Sequence, residues 1–78
     1  MIIAVVEKDY NRAEGFQERY IGAPCQSFEE ATELIFAHFT SKYNNVTNYF
    51  VENGMRCVET NRYTGEVVRE YFMMLMAE

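Results

Sequence analysis

The side chains best suited to chemistry are Cys25, Cys57, the single histidine His38 and the carboxylates Glu29, Glu30 and Glu33. A Cys–His nucleophile needs thiol and imidazole within hydrogen-bond reach. Cys25 stands in a loop just before a helix start, and His38 follows about three turns later at about 5.4 Å per turn, so the two are not expected to touch. Cys57 falls in the middle of an expected strand. A metal centre at His38 needs further His, Cys or carboxylate ligands. Its Glu and Thr neighbours alone do not supply them, and Cys25 and Cys57 match no metal-binding spacing. The four glycines are scattered at turns, which leaves no phosphate-cradling loop. The expectation is therefore a protein that is not an enzyme, with no catalytic residue, no metal and no cofactor.

The element that positions these residues is a helix from Ser27 to about Lys42. Ser27-Phe28-Glu29-Glu30 has the form of a capping box, with Ser27 accepting from the first turn and Glu30 reaching back. Glu29, Glu30 and Glu33 also place negative charge at the positive end of the helix dipole, which is their first role. The Asn44-Asn45 pair marks the expected end. On a helical wheel Phe28, Ala31, Leu34, Ile35, His38 and Phe39 share an apolar face. Phe36 points elsewhere, among Glu29, Glu33 and Thr40. The plain reading is a tolerated surface aromatic, or one packed under a loop. The sharper reading is an exposed anchor ringed by carboxylates.

The rest of the chain reads as strand and turn. Met1 to Glu7 is β-branched and apolar, a buried strand that is central or covered on both faces. Lys8 to Gly15 reads as a loop. Phe16 to Ile21 alternates and reads as an edge strand. Val46 to Glu52 and Met55 to Asn61 flank Asn53-Gly54, a type I′ hairpin signal that sets Phe50 opposite Cys57 and Tyr49 opposite Val58. A second hairpin turns at Tyr63-Thr64-Gly65, with Arg62 opposite Glu66 and Glu59 opposite Arg69. Glu66 to Met76 is the last strand, and Tyr71 to Met76 is apolar on both faces. A competing reading makes Glu66 to Glu78 a helix, because Val68, Tyr71, Phe72 and Leu75 also fit helical spacing. The expected fold is α+β, in the order ββαβββ: one domain over residues 1–78, a mostly antiparallel sheet with one helix packed on one face.

A chain of 78 residues buries only roughly 60% of its unfolded surface. Yet 49% of its residues are hydrophobic and 15% aromatic, a generous apolar load for so small a core. Twelve acidic against seven basic residues give a net charge of -5. That balance argues against direct nucleic-acid binding, which draws its affinity from Lys and Arg on phosphates, and fits a protein partner with a basic surface. Ile2 to Val6 is too short for a signal sequence and Tyr71 to Ala77 too short to span a bilayer, so no membrane role is expected. Both cysteines are read as thiols in a reducing cytoplasm. Tyrosines at loops and edges offer contact area at low entropic cost. The expected partner-binding residues are Glu29, Glu33, Phe36, Tyr20, Tyr63, Tyr71 and Met73. The alternative to a foreign partner is self-association: a homodimer seamed along Tyr71 to Met76.

In its pattern the chain resembles small phage-encoded inhibitors, including some anti-CRISPR proteins. The resemblance lies in the opening strand MIIAVVEKD, the capped SFEEA helix and the ENGM and RYTGE hairpins. It spans most of the chain and transfers no contact residue. What it implies is a non-enzymatic inhibitor seated on a nucleic-acid-handling or defence complex, its carboxylates meeting Lys and Arg that otherwise hold phosphate.

Overall fold

A computed structural model describes residues 1–12, 15–39 and 45–77. Among these residues five strands form one antiparallel sheet: β1 (Ile2–Arg12), β2 (Gly15–Tyr20), β3 (Val46–Val51), β4 (Arg56–Asn61) and β5 (Val67–Met76), in the spatial order β2-β1-β5-β4-β3. One helix, α1 (Phe28–His38), lies between β2 and β3 in the chain and carries it from one sheet edge to the other. The expected α+β order ββαβββ and its single-faced helix are present. No helix among the described residues is long and apolar enough to cross a membrane.

Apolar periodicity explains which face the helix covers. Ala31 and Ile35 of α1 are buried against Ile3 and Val5 of β1, Cys57 of β4, and Tyr71 and Met73 of β5. Leu34, Phe39, Phe50 and Met55 close the rim of this core. Phe28, expected on the same apolar stripe, stays partly exposed in the first turn. Gly22 makes the entry to α1 possible. Its φ is +65°, a backbone conformation that strains any residue with a side chain, and a Cβ there would also stand 2.8 Å from Leu34 Cδ1 and push that side chain aside.

Four expectations need correction. The segment from Lys8 is strand through Arg12, because β1 lies between two partners: Lys8 faces Glu18 on β2 and Glu70 on β5, and Asp9 faces Arg69. Cross-strand charge pairing holds polar residues in a central strand that composition alone assigned to a loop. The helix stops at His38 rather than about Lys42. Phe39 adopts φ −57°, ψ 139°, and the His38 carbonyl accepts from the Tyr71 hydroxyl at 2.8 Å. Lys42, Tyr43 and Asn44 lie outside the described residues.

The β3–β4 register is as expected, with Phe50 opposite Cys57 and Tyr49 opposite Val58. Its turn, however, includes Glu52, which joins Asn53 and Gly54 at positive φ in a left-handed coil before Met55 donates to the Glu52 carbonyl. In the next hairpin Glu59 does face Arg69, but a bulge at Glu59/Thr60 then shifts the pairing by one residue. Asn61, not Arg62, meets Glu66, and its side-chain oxygen accepts from the Tyr63 and Thr64 amides at 2.9 and 3.0 Å. Arg62 instead donates its amide to Asn45. The expected last strand is present as β5, and the competing helical reading fails because two strand neighbours satisfy the backbone on both sides.

Candidate functional site

The outward surface of α1 begins at its cap. Ser27 Oγ accepts from the Glu30 amide at 3.1 Å, and Glu30 Oε2 accepts from the Gln26 amide at 2.9 Å, one residue upstream of the expected partner. Glu29, Glu30 and Glu33 are all exposed, so the start of the helix is uniformly acidic. Phe36 follows one turn on and is 54% exposed. It is not isolated. Its ring packs edge-on to Phe39 at 4.9 Å and Phe50 of β3 at 5.7 Å, and Phe39 stands 6.4 Å from Tyr71 in the core. The exposed ring is thereby held in place by neighbours rooted in the sheet. The sequence placed Phe36 among carboxylates. It carried no signal for Phe50, because that contact crosses from helix to edge strand.

The thiols are buried and the imidazole is held by its own helix. His38 Nδ1 lies 3.0 Å from the Leu34 carbonyl, a bond made by the tautomer that carries its proton there. Cys25 and Cys57 are free and buried. Burial first, then the charge of Glu59, pushes the Cys57 thiol up to about 12, and burial followed by Glu30 raises Cys25. Neither offers thiolate at neutral pH. Among the described residues no group of three or more His, Cys, Asp or Glu is placed to hold a metal ion.

Tyr71 and Met73 are corrected from partner contacts to core. They sit beneath α1, and Tyr71 is wholly buried. Burial, then the charges of Glu59 and Glu7, raises the Tyr71 hydroxyl above its usual value. Met73 and Met74 show how β5 divides: Met73 is 7% exposed on the helix side and Met74 44% on the other. The remaining expected residues fall in three places. Glu29, Glu33 and Phe36 share the helix surface. Tyr20 lies across the sheet on edge strand β2, and Tyr63 is at the tip of the β4–β5 loop.

The face opposite α1 has no covering layer among the described residues. Pairing aligns three levels along it: Ile2 with Met76, Ala4 with Met74, and Val6 with Phe72 and Tyr20. Tyr20, Met74 and Met76 remain exposed over a floor where Ala4 and Val6 are buried. Where β2 parts from β1, Ile2, Ala4, Tyr20, Pro24 and Met76 help line an apolar groove of about 550 Å³. Beyond it the charges alternate. Glu18 faces Lys8, Lys8 faces Glu70, and Arg56 of β4 donates to Glu70 from Nε at 2.6 Å. Tyr10 donates to the other Glu70 oxygen at 2.7 Å. Lys8 Nζ stands 4.6 Å from the centre of the Phe16 ring and Arg56 lies over Phe72 at 5.5 Å, so both cations cap aromatic rings as well.

The molecule is therefore electrically two-sided. The layer toward α1 holds Glu7, Asp9, Glu29, Glu30, Glu33 and Glu59 against Arg19 and Arg69, with Glu7 paired to Arg19 at 3.0 Å. On the opposite face Lys8 and Arg56 stand among Glu18, Glu70 and Glu52, the last bonding Arg56 at 3.4 Å. No family model matches the sequence, and neither the curated proteins nor the solved structures give a match.

Proposed function

We propose that this protein is a small non-catalytic inhibitor that presents the outward face of α1 to a basic protein surface. The observation that supports this reading is Phe36: a half-exposed ring, fixed by Phe39 and Phe50, beside a helix start that carries only negative charge. A ring already held in position loses little freedom on binding, so more of its contact energy appears as affinity. Arginine suits such a site, since its guanidinium pairs with carboxylates and stacks on an aromatic face. The partner this chemistry fits is the Lys- and Arg-lined channel of a nucleic-acid-handling or defence complex, with Glu29 and Glu33 taking the place of phosphates. The likeness in pattern to phage-encoded inhibitors of the anti-CRISPR kind accords with it. Two buried free thiols accord with a reducing compartment such as the cytoplasm.

The test is competition. A partner captured from nuclease-treated bacterial lysate is loaded with labelled DNA or RNA and titrated with this protein. Displacement by the wild type, weakened at least about tenfold by Phe36→Ala and by Glu29→Lys with Glu33→Lys, is the expected result. Failure to displace nucleic acid from any captured partner rejects the reading.

A further inference from the structure

We propose that the open sheet face is a homodimer interface, in which two copies stack sheet to sheet and turn their helices outward. This goes beyond the inhibitor reading and concerns the opposite surface. An acidic chain repels its own copy over most approaches. On the open face Glu18, Lys8, Glu70 and Arg56 alternate in sign, with Glu52 bonded to Arg56 at the β4 end, and the order of these four fits a second copy.

Across the strands the row runs Glu18 on β2, Lys8 on β1, Glu70 on β5, then Arg56, whose side chain reaches that level from β4 to bond Glu70. The signs alternate: minus, plus, minus, plus. Consider a twofold axis lying between two stacked sheets and running along the strands, midway between β1 and β5. It sets β1 over β5 and β2 over β4. The reversed row then sets these four charges against opposite signs, Lys8 against Glu70 and Glu18 against Arg56. A twofold interface has to be self-complementary in this way.

The same axis preserves position along the strands. It stacks the apolar levels on themselves: Ile2, Ala4 and Val6 of one copy over Met76, Met74 and Phe72 of the other, with Tyr20 at the margin. Sheets packed face to face lie about 10 Å apart, which leaves room for interleaved Met and Tyr side chains and no solvent layer. Flexible methionines suit such a seam. The result is a two-sided particle with an acidic helix surface on each exterior.

The purified protein alone is measured by sedimentation or light scattering across a concentration series, with folding checked by circular dichroism. A dimer mass is expected for wild type. Met74→Glu puts two like charges into the seam and is expected to raise the dimer Kd by at least about tenfold. Glu18→Lys, which faces Arg56, is expected to weaken the dimer most at low salt. Glu33→Lys on α1 leaves the mass unchanged. Should Met74→Glu fail to fold, Tyr20→Glu at the exposed edge takes its place with the same expectation. A wild type that stays monomeric throughout, or a dimer indifferent to Met74→Glu or to Glu18→Lys, overturns the stacked arrangement. These masses are read without any partner, so they stand or fall apart from the competition test.

Discussion

Met73 and Met74 are adjacent in sequence and identical in type, and they live in different environments. Met73 lies under α1 with Ile3, Val5 and Tyr71, whereas Met74 stands on the uncovered face beside Ala4. The whole sheet divides along that line. One face is apolar at its centre because a helix lies on it. The other is apolar with no layer above it among the described residues, and its cations already cap Phe16 and Phe72. The comparison teaches that hydrophobicity did not choose which face became the core. The crossing of α1 from the β2 edge to the β3 edge chose it.

The largest contrast comes from truncating each face in turn. Ile35→Ala leaves a cavity where α1 meets the sheet and is expected to cost about 2–5 kcal/mol, whereas Met74→Ala should cost under about 1 kcal/mol in the isolated chain. Denaturant unfolding of both variants measures this, and equal losses would erase the distinction between the faces. Tyr71→Phe tests the tie between core and helix end. It removes the donor to the His38 carbonyl while keeping the ring, and should cost about 1–3 kcal/mol.

Ser27→Ala removes the acceptor of the Glu30 amide and should cost about 1 kcal/mol, with lower helix content by circular dichroism. The covered face also has an alkaline signature. Cys57 and Tyr71 keep their protons in the folded state above their ordinary values of 9.0 and 10.0. Above about pH 9 the unfolded chain therefore binds fewer protons than the folded one, and stability falls as pH rises. A urea midpoint that decreases from pH 9 upward is expected, with a shallower decrease in Cys57→Ser. In the native state near pH 8, thiol reagents should modify Cys57 only as fast as the protein unfolds.

The sequence was most legible where the determinants are local. The Ser27 cap, the apolar stripe of Ala31, Leu34 and Ile35, and the Asn53-Gly54 turn each depend on residues a few positions apart, and the hairpin register followed from them. It was least legible where long-range partners decide. Lys8 and Asp9 are strand because Glu18 of β2 and Glu70 and Arg69 of β5 come to lie beside them. The Glu59/Thr60 bulge moves Arg62 out of its expected pairing, since one inserted residue changes register without changing the alternation that sequence displays. Phe36 was legible as a candidate anchor. The rings that hold it were not.

By itself, then, the sequence determined the element order, the helix cap, the β3–β4 hairpin register and the acidic balance, all of which follow from propensity, short-range bonding and composition. Tertiary structure alone decided that Tyr71 and Met73 belong to the core while Phe72, Met74 and Met76 stay outside. A strand with apolar residues at every position has no preferred face, and only the path of α1 over β1 breaks that symmetry. It also collected the scattered charges of β2, β1, β5 and β4 into one alternating row, because strand order, not chain order, sets which side chains become neighbours.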